Sequence, residues 1–114
     1  MSGISTHVLD TSAGRPAAGM AVKLEVHLGG KGWVTLAERA TDADGRARDL
    51  TADGSKLDAG TYRLTFGTSA YFAAKGQSTF FPEASVVFEV RDPAQHHHVP
   101  LLLSPFGYST YRGS

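Results

Sequence analysis

The chain has 114 residues, which is room for one domain spanning residues 1–114 and leaves none for a second. Eleven Lys and Arg balance eleven Asp and Glu, so no long-range attraction draws it to nucleic acid or to an anionic membrane, and any anion site must be local. The absence of cysteine excludes a disulfide framework, a thiolate nucleophile and a cysteine-ligated metal.

A hydrophobic content of 41% fits a folded globular chain, and no run approaches the ~20 apolar residues that span a bilayer. The opening residues Met1 to His7 carry no basic segment followed by an apolar one, so a cytoplasmic protein is expected. A chain this small buries a modest share of its surface, which makes self-association an ordinary source of added stability.

In chain order, Ile4 to Asp10 is the first strand expected, followed by a turn over Ser12-Ala13-Gly14-Arg15-Pro16. From Ala21 to Leu28 the period is two: Val22, Leu24, Val26 and Leu28 alternate with Lys23, Glu25 and His27, which predicts a strand with one buried face. After the turn Gly29-Gly30-Lys31-Gly32 come shorter strands over Trp33 to Ala40 and Arg46 to Leu50, separated by the turn Asp42-Ala43-Asp44-Gly45. A further turn is expected at Asp53-Gly54-Ser55.

Gly60 to Phe66 repeats the alternation, with Tyr62, Leu64 and Phe66 on one side. Ser69 to Gly76, with its alanines and terminal glycine, predicts one or two helical turns. Val86, Phe88 and Val90 form another buried row, and His96 to Ser104 and Tyr108 to Gly113 complete a count of about eight strands. Short strands punctuated by turn residues predict an all-β antiparallel sandwich or barrel. Phe106, Tyr108 and Tyr111 lie too near the chain end to be left on a fraying tail, so this end is expected to pack into the domain or a subunit interface.

Three of the five histidines are consecutive. On a strand His96 and His98 share a face with Pro100, Leu102 and Ser104, a largely apolar one, while His97 joins Val99, Leu101 and Leu103. Three readings of the pair stay open: a structural or solvated role, a zinc site completed by His7, and acid-base catalysis by a group that titrates near neutrality. Arg46, opening a strand after a tight turn, is by itself an ordinary surface arginine. No two carboxylates are spaced as a glycosidase couple, and neither a Gly-x-Ser-x-Gly elbow nor a phosphate loop occurs.

Four blocks together resemble the transthyretin-related 5-hydroxyisourate hydrolases over essentially the whole chain. They are Ser5-Thr6-His7-Val8-Leu9-Asp10 with Gly14-Arg15-Pro16-Ala17, the Asp44-Gly45-Arg46 turn, His96-His97-His98-Val99-Pro100-Leu101-Leu102-Leu103-Ser104-Pro105, and Tyr108-Ser109-Thr110-Tyr111-Arg112-Gly113-Ser114. The last is the most specific, because a terminal Tyr-Arg-Gly-Ser separates the hydrolases from the hormone carriers that share their fold. His97 departs mildly from the pattern, where tyrosine is common.

The resemblance implies a transthyretin-like two-sheet β-sandwich of about eight strands with one short helix, assembled as a homotetramer, a dimer of dimers around a central channel. It implies hydrolysis of 5-hydroxyisourate in urate degradation, without cofactor or metal. His7, Arg46, His98 and Ser114 match the catalytic positions, and Tyr111 and Arg112 would place the chain end against the substrate. The alternative is a transthyretin-like carrier of small ligands without catalysis.

Overall fold

The two-residue alternation of the sequence becomes two sheets in the computed structural model, which describes residues 3–48, 50–51 and 57–113. The first sheet contains β1 (Gly3–Asp10), β2 (Arg15–Pro16), β5 (Arg46–Ala47), β8 (His96–Ser104) and β9 (Gly107–Thr110). The second contains β3 (Ala21–His27), β4 (Trp33–Ala40), β6 (Gly60–Phe66) and β7 (Ala84–Val90), in the order β4-β3-β6-β7. The transthyretin-like sandwich expected from the sequence is therefore present, with, among the described residues, one short helix, α1 (Thr68–Ala73), and a single 3₁₀ turn over Gly29–Lys31.

The first sheet runs β2-β1-β8-β9, and the two short strands β2 and β5 share the outer edge of β1. β1 and β8 lie parallel in unbroken register from Gly3 opposite His96 to Asp10 opposite Leu103. Parallel neighbours require a crossover, and here nearly the whole domain lies between the two strands. Local sequence therefore gives no hint that the first and the third blocks of the chain meet.

Between the sheets lie Ile4, Val8, Val22, Leu24, Leu64, Phe66, all fully buried, with Leu101 and Leu103 from β8. Each such side chain contributes about 1.5–3 kcal/mol of transfer free energy on leaving water. Helix α1 buries Tyr71 and Phe72, and the Tyr71 hydroxyl donates to Asp10 Oδ2 at 2.7 Å. Asp10 is fully buried at the end of β1 and also accepts from Ser12 and the Ala13 amide. These bonds and the Lys75 ammonium 3.6 Å away outweigh its desolvation and hold its carboxyl below the usual range.

Four expectations are corrected. Among the described residues, the strand expected over Arg46 to Leu50 pairs only at Arg46 and Ala47, and Arg15-Pro16, expected as part of a turn, forms a two-residue strand against β1. Glu25 does not face water as alternation required. It stays on the face away from the core, opposite Arg63 in unbroken register, and is covered there: Arg63 donates to both carboxylate oxygens at 2.9 and 3.0 Å and stacks on Trp33 4.3 Å from the ring centre. The strand expected over Tyr108 to Gly113 ends at Thr110, and pairing resumes only at Gly113. The turn expected at Asp53-Gly54-Ser55 lies outside the described residues. No helix among the described residues is long and apolar enough to cross a membrane.

Candidate active site

Side chains on β1 alternate between the core, through Ile4, Thr6 and Val8, and the open face of the sheet, through Ser5, His7 and Leu9. β8 does the same: His97, Val99, Leu101 and Leu103 are buried, while His96, His98, Leu102 and Ser104 are partly or fully exposed. The face shared by His96 and His98 is thus the wetter of the two, and the largely apolar description fits His97 instead.

Register then gathers the site. Ser5 is the parallel partner of His98, and His7, two residues on, is the antiparallel partner of Arg46. His7, Arg46 and His98, separated by up to ninety-one positions in sequence, consequently project from three adjacent strands onto one face.

The Arg46 side is a locked turn. Asp42 Oδ1 accepts from the amides of Asp44 at 2.9 Å and Arg46 at 3.0 Å, and these bonds hold its carboxyl below the usual range. The Gly45 carbonyl accepts from the Val8 amide at 2.7 Å. Gly45 has φ +75°, and a Cβ there would strike the Val8 carbonyl oxygen, so the turn takes only glycine at this point. The Asp44 carbonyl accepts from His7 Nε2 at 2.8 Å. A carbonyl cannot donate, so Nε2 carries the proton and neutral His7 keeps its lone pair on Nδ1.

His98 is half-buried, and its Nδ1 lies 2.8 Å from Ser5 Oγ. Burial, then the charges of Arg46, His7 and His96, push its pKa below the ordinary 6.5, so the ring is neutral at pH 7. With Nδ1 committed to Ser5, Nε2 is the nitrogen left for a reacting group.

The chain end reaches the same histidine: the Gly113 amide donates to the His98 carbonyl at 2.8 Å. A Cβ on Gly113 would lie 2.6 Å from His98 Cδ2, so a glycine here lets the tail lie flat on the imidazole. Arg112 turns away to donate to Gln95 Oε1 at 2.9 Å, and Tyr111 is 58% exposed. Ser114 lies outside the described residues. Among the described residues, no group of three or more His, Cys, Asp or Glu is arranged to hold a metal ion. A cleft lined by Arg39, Ala40, Asp42, Arg46, Ala47 and Arg48 opens at the sheet edge, but neither His7 nor His98 lines it.

The family model described as HIUase/Transthyretin matches residues 4–113. The chain belongs to this family. It is 48% identical to the 5-hydroxyisourate hydrolase of Caulobacter vibrioides, with both chains covered in full. The structure of the Klebsiella pneumoniae 5-hydroxyisourate hydrolase is 43% identical, covers 100% of this chain and 94% of its own, and superposes with a TM-score of 0.85. Sea bream transthyretin in complex with thyroxine superposes with a TM-score of 0.90 at 34% identity, over 96% of this chain and 93% of its own.

Sequence reasoning brought forward His7, Arg46 and His98, which the fold unites, but not Ser5, Asp42 or the steric role of Gly113. Ser5 was detectable in principle, since it stands two residues before His7 on the same strand face. Its partner histidines were not, because only the parallel β1–β8 pairing brings them to it.

Proposed function

We propose that this chain is a 5-hydroxyisourate hydrolase: a single hydrolase domain over residues 1–114, acting in the cytoplasm as a homotetramer in urate degradation. The observation that carries this reading is the convergence of a neutral imidazole, a second imidazole and a guanidinium on one open sheet face, with the Tyr-Arg-Gly tail bonded to His98. The fold does not discriminate, since hydrolase and carrier structures both superpose well; identity does, at 43–48% to the hydrolases against 34% to the carrier.

In the proposed reaction His98 Nε2 takes a proton from water as its oxygen attacks C6 of the substrate. The tetrahedral oxyanion is held by the planar donor fork of Arg46, for which one such donor is worth roughly 3 kcal/mol. The C6–N1 bond breaks with its electron pair going to N1, which is protonated, giving 2-oxo-4-hydroxy-4-carboxy-5-ureidoimidazoline. His7, oriented by the Asp44 carbonyl, completes the substrate cradle, and Ser114, with Tyr111 and Arg112, closes it from the chain end.

Two observations support an assembly. β7 and β9 each end a sheet with an edge unpaired among the described residues, and Phe80, Phe106 and Tyr111 are 58–72% exposed. The histidines lie on an open face, which needs a second sheet opposite to exclude water.

Oxidising urate in situ and following the ultraviolet decay of 5-hydroxyisourate tests the activity, and light scattering tests the tetramer. Decay unchanged by the protein would move the assignment to the carrier reading, which a thyroxine titration then tests.

A further inference from the structure

Ser5 Oγ lies 2.7 Å from His96 Nε2 and 2.8 Å from His98 Nδ1. A hydroxyl has one proton to give, so the two ring nitrogens cannot both accept from it, and when Ser5 donates to one the other donates to Ser5. The tautomers of the two histidines are therefore opposed. When His98 carries its proton on Nδ1, its Nε2 is bare and His96 Nε2 accepts; when the chain shifts, His98 Nε2 carries the proton and His96 Nε2 donates. His98 is half-buried, Ser5 is buried at 8% exposure, and His96 is exposed. The chain thus runs from the reacting nitrogen to solvent.

We infer that Ser5 and His96 form a two-way proton relay between His98 and solvent. This rests on the hydrolase reading above. Hydrolysis of a neutral ring amide leaves a carboxylic acid, which ionises near a pKa of about 3.5, and a ureido nitrogen, which is not basic at neutral pH. Of the two protons brought by water, the acid loses one on ionising and N1 keeps the other, so His98 must take up a proton and give one back within each turnover. Water gives its first proton to His98 Nε2, His98 Nδ1 passes its own to Ser5 Oγ, and the Ser5 proton moves to His96 Nε2. His96 then releases a proton to bulk. His98 is left neutral with a proton on Nε2, ready to donate to N1, and never stores charge beside Arg46 and His7, the cationic and titratable groups that face it from β5 and β1. As Nε2 gives its proton to N1, His96 takes one proton from bulk at Nδ1 and the chain runs back, from His96 Nε2 to Ser5 to His98 Nδ1, so both rings return to their starting tautomers.

His96 is a relay residue that touches no substrate, and its variant His96→Gln keeps a hydrogen-bonding partner for Ser5 while removing the group that titrates. The expected result is a fall in kcat of about ten-fold at low buffer concentration, less than the loss of a direct general base, with KM unchanged. Added imidazole should restore the rate in the variant and leave the wild type indifferent. Ser5→Ala should show the same loss, and Ser5→Thr, which keeps the hydroxyl, should regain it. An equal kcat for His96→Gln and wild type across buffer concentrations overturns the relay, as does a loss that imidazole does not relieve. Inactivity of the wild type itself would instead overturn the hydrolase reading.

Discussion

The two sides of the site are built differently. The turn Asp42 to Arg46 is tied by the Asp42 carboxylate, by the Gly45 carbonyl on β1 and by the His7 ring, all within one chain. The tail beyond β9 touches the site through one backbone bond, Gly113 to His98, with Arg112 directed to Gln95 and Tyr111 exposed. A turn that completes its own hydrogen bonds is a finished part, whereas a tail with unburied rings waits for a surface to close on it. The contrast predicts that damage to the turn acts within the monomer and damage to the tail acts through assembly and catalysis.

The largest effect is expected at the turn's functional group. Arg46→Lys keeps the charge but not the planar fork, and turnover should fall about 10²- to 10³-fold with an unchanged melting temperature. Wild-type turnover in a folded Arg46→Lys sample would return Arg46 to the surface role that its sequence context alone suggests. The turn's framework comes next. Gly45→Ala forces a side chain into a positive-φ position against the Val8 carbonyl, and should cost roughly 2–3 kcal/mol of stability by thermal or denaturant unfolding. An unperturbed Gly45→Ala would mean that the turn is looser than its bonds imply.

At the tail, Gly113→Ala places a methyl on the His98 ring. The ring or the tail must move, so turnover should drop by about ten-fold while the melting temperature changes little, because the described part of the tail is held by few hydrogen bonds. Equal losses of stability at Gly45 and Gly113 would erase the contrast between the two sides. Deleting Arg112 to Ser114 is the blunter form of the same test, and intact turnover there would remove the tail from the site.

The same contrast governs what the sequence discloses. Strand positions follow from local alternation, and Trp33–Ala40, Gly60–Phe66 and His96–Ser104 form over the expected residues. Local pattern fails where a neighbour decides, as at Glu25, buried on the outer face by the cross-strand Arg63, which stacks on Trp33. His7, Arg46 and His98 stood out through a family likeness, because nothing in their own spacing joins them; the parallel β1–β8 pairing does. Ser5 went unremarked for the same reason, as a serine on a strand acquires meaning only from the two imidazoles it meets.

The smallest effect is expected beneath the tail, at His97, the one histidine of the triplet that faces the core. It is 5% exposed, and its Nδ1 has no hydrogen-bond partner among the described residues. Burial first, and then the Arg112 charge, hold its pKa below 6.5. The unfolded chain therefore takes up this proton before the folded one does. Stability from His97 is complete above the unfolded value of 6.5 and declines as pH falls from there through the lowered folded value. His98, lowered for related reasons, adds to the same window, whereas the depressed carboxyls of Asp10 and Glu25 act only below their ordinary values of 3.8 and 4.5. His97→Phe keeps an aromatic ring in the core and removes the proton site, so its melting temperature should fall less than that of the wild type between pH 6.5 and 5. Removing the Arg112 charge should raise the His97 pKa and shift the same acid limb to a lesser degree. If the two variants and the wild type lose stability in parallel over that range, the tail exerts no electrostatic pressure on the core strand, and holds to the monomer only through hydrogen bonds such as those to His98 and Gln95.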